Sequence, residues 1–77
     1  MLQAFMLVTV AMGAADSTAA ALRLIDGVTS ADVVTGPYDI VVDMAALDVD
    51  VLGVLVQDKV QRVPGVVRTL TCPVFHL

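Results

Sequence analysis

The chain alternates between stretches of period two and stretches of helical period. From Gln3 to Met12 nearly every position is apolar. Leu2, Ala4, Met6, Val8 and Val10 alternate with Gln3, Phe5, Leu7, Thr9 and Ala11, and both sets are greasy. A strand of that kind is covered on both faces. One face can take the chain's own helices, and a second subunit's sheet is the simplest cover for the other. Gly13 to Ser17 then turns into a helix running to about Ile25, rich in Ala, the best helix former. Asp16 or Ser17 can cap it, Thr18, Leu22 and Ile25 share one face, and Asp26-Gly27 ends it.

The second strand is expected over Val28–Thr35 and the third over Tyr38–Met44, joined as a hairpin by the turn dipeptide Gly36-Pro37. Tyr38, Ile40, Val42 and Met44 fall on one face of the third strand, and Asp39, Val41 and Asp43 on the other. Asp39 therefore stands at the hairpin's mouth, a position open both to a ligand-binding carboxylate and to a solvated one. A second helix follows, with Asp48 as N-cap and Leu52, Leu55, Val56, Val60 and Val63 as its apolar stripe. Gln57, Asp58, Gln61 and Arg62 face away. Gly53 weakens this helix by about 1 kcal/mol relative to Ala and is a candidate for a close-packing point. Pro64-Gly65 stops it, and Val66–Phe75 is the last strand, with Pro73 arguing for an edge position or a bulge.

The order is strand, helix, strand, strand, helix, strand. Leu24-Ile25-Asp26-Gly27-Val28 is echoed 38 residues later by Arg62-Val63-Pro64-Gly65-Val66. Two βαβ halves of this length build an α+β, ferredoxin-like βαββαβ fold: a four-stranded antiparallel sheet with both helices on one face.

Composition sharpens the need for a partner. The chain has 77 residues, 58% hydrophobic and only 16% charged. One domain of this size buries a modest core, so the surplus apolar surface points to oligomerisation. No apolar run is long enough to span a bilayer. Leu2 to Met12 lacks the basic flank of a signal peptide, and the chain reads as cytoplasmic. Net charge is −4, and Arg23, Lys59, Arg62 and Arg68 form no cluster, which argues against direct binding of nucleic acid. The lone Cys72 excludes an intrachain disulfide and, with the lone His76, supplies no metal-ligand set. Cys72 is expected as a small buried hydrophobe, and His76 as exposed. All eight acids are Asp. Asp39 and Asp43 share a face, but nothing supplies the contrasting environments an acid/base pair requires.

The run from Asp26 to Val42, with Gly36-Pro37-Tyr38-Asp39 at its centre, resembles the hairpin of the Lrp/AsnC ligand-binding (RAM) domain. Val63-Pro64-Gly65-Val66 and the strand bearing Thr69 and Thr71 resemble that domain's C-terminal segment. The resemblance covers nearly all of residues 1–77, read as a single domain. It implies a dimeric α/β barrel with two sheets face to face, assembly into higher oligomers of dimers, and an amino acid effector bound between dimers. Carried over, Gly36 would approach the effector's carboxylate, Asp39 would take its ammonium, and Tyr38, Thr69 and Thr71 would complete the site. Pro37 departs from the pattern, because it has no N–H to donate. Met1 opens directly on the first strand, so a stand-alone module without the family's helix-turn-helix domain is expected.

Three functions follow. The first is an amino-acid-sensing oligomerisation module, without enzymatic activity, catalytic residues, cofactor or metal, that could join Lrp/AsnC-type regulators. The second is a ligand-free structural assembly domain. The third is a small enzyme on the same topology, which would need a polar pocket of the kind one Tyr and one terminal His scarcely furnish.

Overall fold

The computed structural model describes residues 1–76. Its elements are β1 (Leu2–Val10), α1 (Ala15–Arg23), β2 (Val28–Val33), β3 (Ile40–Ala46), α2 (Val49–Asp58), a 3-10 turn (Val60–Arg62) and β4 (Val66–Pro73). The sheet order is β2-β3-β1-β4 and every neighbouring pair is antiparallel. This is the expected ferredoxin-like arrangement. Alternation decides which side chains go inward. Ala4, Met6 and Val8 of β1 and Ile40, Val42 and Met44 of β3 are fully buried against Ala19 and Leu22 of α1 and Leu52 of α2. Both helices thus cover one face.

The two halves close with the same turn. The Val28 N–H donates to the Ile25 carbonyl at 3.1 Å, and the Val66 N–H to the Val63 carbonyl at 3.2 Å. Gly27 and Gly65 have φ of 100° and 96°, a region that glycine enters at no steric cost. The echo in the sequence is an echo of backbone conformation.

Helix ends differ from expectation in instructive ways. α1 starts after Ala14, which makes no side-chain cap, and the Ser17 hydroxyl donates back to the Ala14 carbonyl at 3.2 Å. Neither Asp16 nor Ser17 caps the helix, because both lie inside its first turn. Asp48 is the N-cap of α2, its Oδ1 accepting the Val51 N–H at 2.9 Å. The apolar stripe does not ride on one continuous helix, however. α2 ends at Asp58, Lys59 takes φ −115° and ψ −62°, and the 3-10 turn swings Val60 into the core. Gly53 has open space around it and marks no close packing.

β4 is an edge strand, which accommodates Pro73 at its end. The face of the sheet opposite the helices carries Phe5, Leu7, Val41 and Leu70, and the described residues provide no layer over it. Phe5 is 40% exposed and Leu70 47%. Cys72 pairs with Phe5 on this same open face and is exposed, not buried as expected. Its neighbours in the pattern are apolar, but alternation aims it away from the helices.

Candidate functional site

The hairpin connection is a six-residue loop, Val34–Asp39, rather than a tight two-residue turn. β2 stops at Val33 and β3 begins at Ile40. The backbone bends at Gly36 and Pro37, with Gly36 at φ 138°, where Cβ-bearing residues are strained. Both residues are exposed, and Tyr38 is half-buried.

Asp39 closes this loop with three groups. Its carbonyl accepts the Val34 N–H at 2.9 Å, and its N–H donates to the Val8 carbonyl at 2.9 Å. Its carboxylate Oδ2 accepts the Val10 N–H, also at 2.9 Å. That last bond is charge-assisted and stronger than a neutral one. Its place explains it. Between Thr9 and Val10 the β1–β4 register shifts, so that Thr9 faces Arg68 and Val10 faces Val66. The extra residue on β4, Val67, makes a bulge. The Asp39 carboxylate thus secures β1 where its pairing with β4 is interrupted. Sequence alone could not name Val10 as a partner, because the donor is main chain and carries no residue signature.

Thr69 and Thr71 lie elsewhere. Thr69 stands across from Val8 and Thr71 across from Met6, so both point to the helix side of β4. β1 lies between them and the hairpin strand β3. The Thr69 hydroxyl accepts from Gln61 Nε2 at a long 3.4 Å and lines a hollow of about 380 Å³ with Val67 and Arg68. Gln61 is exposed as expected, yet it turns toward β4. Thr71 lines a shallower groove of about 270 Å³ against Leu52, Gly53 and Val56 of α2. Gly36, Tyr38 and Asp39 therefore form one cluster in a single protomer, and Thr69 and Thr71 a second. Both hollows are of the size that takes small ligands or falls just below it.

Among the described residues, no group of three or more His, Cys, Asp or Glu could hold a metal ion. No helix among them is long and apolar enough to cross a membrane.

Comparison with known proteins adds to this geometry. The sequence matches the Lrp/AsnC ligand binding domain over residues 3–76. No curated protein matches it. A crystal structure of a Thermus thermophilus protein superposes with a TM-score of 0.93 at 30% identity, covering 100% of this chain and 96% of the other. AsnC of E. coli superposes with a TM-score of 0.91 at 25% identity, covering 99% of this chain and 52% of AsnC. A transcriptional regulator from Neisseria meningitidis, solved as a complex with L-Met, gives a TM-score of 0.87 at 26% identity, over 97% of this chain and 50% of the regulator. The chain thus spans about half the length of the two regulators.

Proposed function

The chain belongs to the Lrp/AsnC ligand-binding domain family, and on that premise we propose that it is an amino-acid-binding regulatory and oligomerisation module. The observation that carries the proposal is the Asp39 carboxylate, fixed by the Val10 N–H beside the exposed Gly36 bend. A zwitterion needs one anionic group for its ammonium and a few donors for its carboxylate, in a place from which water can be excluded. With Oδ2 engaged, Oδ1 is the atom that meets the ammonium. The Gly36 backbone approaches the carboxylate and Tyr38 supplies one wall. Thr69 and Thr71 are separated from this loop within a protomer, so they contribute from a neighbouring subunit or not at all. A site shared between subunits ties occupancy to assembly. The L-Met complex of the Neisseria regulator supports the ligand class.

The module dimerises through the open sheet face, where the side chains of Phe5, Leu7 and Leu70 would otherwise stay in water. Mixed assembly with other Lrp/AsnC-type regulators would give such a module a regulatory output without binding DNA itself. The competing reading is a ligand-free assembly domain, and Pro37 favours it by removing a backbone donor from the loop.

A thermal-shift screen against the twenty amino acids separates the two. A ligand at 100 times its Kd stabilises the native state by about 2.7 kcal/mol, and that shift should vanish in Asp39→Asn. No shift with any amino acid would leave the assembly domain.

A further inference from the structure

The turn that leaves α1 is pressed against α2. Gly27 has φ 100°, and a Cβ built there would meet Leu55 Cδ2 at 3.0 Å and the Ala45 carbonyl oxygen at 3.1 Å. Only glycine lets the backbone come that close. The approach sets Asp26, the preceding residue, beside α2. Leu55 and Lys59 are one helical turn apart, the Lys59 N–H donating to the Leu55 carbonyl at 3.1 Å, so they share one side of α2. Between the turn and α2 is a hollow of about 350 Å³, lined by Leu24, Ile25, Asp26, Leu55 and Lys59.

Its chemistry is amphiphilic. Leu24, Ile25 and Leu55 make it apolar, and Leu24 is left 86% exposed. Asp26 brings a negative charge from the turn and Lys59 a positive one from α2. The side-chain hydrogen bonds among the described residues engage neither of them. The carbonyl end of α1 adds partial negative charge on the Asp26 side. All five lining residues come from one protomer, so the hollow is complete without a partner.

Size decides between ligands that carry both charges. A hollow of about 350 Å³ lies at the small end of ligand sites and, if equant, is about 7 Å across. The ammonium nitrogen and carboxylate carbon of an α-amino acid are only about 2.5 Å apart, whereas two extended residues reach about 7 Å. We propose that this hollow binds a dipeptide with apolar side chains, its ammonium on Asp26, its carboxylate on Lys59 and a side chain covering Leu24 and Leu55. The site is separate from the effector loop. β2 begins at Val28, two residues after Asp26, and ends at Val33, beside that loop. The two sites therefore stand at opposite ends of the strand, about 20 Å apart, and peptide binding does not depend on the amino acid site proposed above.

The test is a titration of the full 77-residue chain with leucyl-leucine, followed by amide chemical shifts in two-dimensional NMR. Shifts should concentrate at Leu24, Ile25, Asp26, Leu55 and Lys59. N-acetyl-leucyl-leucine lacks the ammonium and leucyl-leucinamide lacks the carboxylate. Each should bind about fivefold more weakly, the upper end for an exposed ion pair. Asp26→Asn should weaken leucyl-leucine by a like factor and leave the acetylated peptide unaffected. Lys59→Gln should weaken it similarly and leave the amide unaffected. Both side chains are exposed, and the amide spectrum itself verifies that each variant is folded. Asp39→Asn should bind leucyl-leucine as the wild type does, whatever becomes of its amino acid binding. Absence of localised shifts at tens of millimolar peptide, or equal binding of the three peptides, would overturn the site. Free leucine shifting the same amides with equal affinity would overturn its assignment to a dipeptide.

Discussion

Thr18 Oγ1 donates a 3.0 Å hydrogen bond to the carbonyl of Pro64, 46 residues away. The threonine is fully buried on α1, and the proline opens the turn that leads into β4. This bond joins the helix of the first βαβ half to the exit turn of the second. Thr18→Val keeps the shape and removes the donor, so it should cost about 1 kcal/mol. Thr18→Ser should retain most of the hydrogen bond's contribution. Urea denaturation of the two variants measures the difference.

Glycine substitutions should differ in sign. At Gly65 a Cβ would overlap Thr18 Oγ1 and meet the Ala14 Cβ at 3.1 Å, and φ is 96°. Gly65→Ala should therefore destabilise by about 2 kcal/mol or more. Gly53 sits in α2 with nothing within 4 Å of an added Cβ. Gly53→Ala should stabilise by about 0.5–1 kcal/mol through helix propensity and a less disordered unfolded chain. Chemical denaturation midpoints at constant m-value would verify both directions.

Asp39 has a structural duty separable from its proposed ligand duty. Asp39→Ala removes the acceptor for the Val10 N–H and should cost about 1–3 kcal/mol, as expected where an amide loses a charged partner. Asp39→Asn can keep an oxygen toward Val10 while losing the charge that an ammonium requires. It should lose less stability than the alanine variant, yet lose amino acid binding as completely. Equal ligand-induced shifts in Asp39→Asn and wild type would show that the carboxylate does not hold the ammonium.

The start of α2 depends on one side chain. Asp48 Oδ1 accepts the Val51 N–H at 2.9 Å, so Asp48→Ala should cost about 1 kcal/mol and Asp48→Asn much less. Because Leu52 lies one turn further on and is buried against the sheet, fraying here should also show as faster amide exchange near Leu52.

Much of the fold is legible in the chain because binary pattern is a local property. Ile40, Val42 and Met44 read as one face and are all fully buried. Thr18 and Leu22 read as the inner stripe of α1 and are buried there. Gly27 and Gly65, matched by their flanking residues, adopt nearly the same positive φ. The hairpin cluster Gly36, Tyr38 and Asp39 is contiguous, so any fold keeps it together.

Only the tertiary structure decided the rest, and in each case the cause is a partner distant along the chain. The α2 stripe continues past Lys59, but docking Val60 into the core bends the backbone into a 3-10 turn. Cys72 reads as buried from its apolar neighbours, yet the β1–β4 register sets it opposite Phe5 on the open face. The same register sends Thr69 and Thr71 to the helix side, away from the loop whose site they were expected to share. The Asp39 carboxylate finds a main-chain N–H 29 residues back. Periodicity fixes which side chains can share a face, because it depends on neighbours two to four residues apart. Which face meets which partner depends on strand register, and register is set by the whole packed sheet.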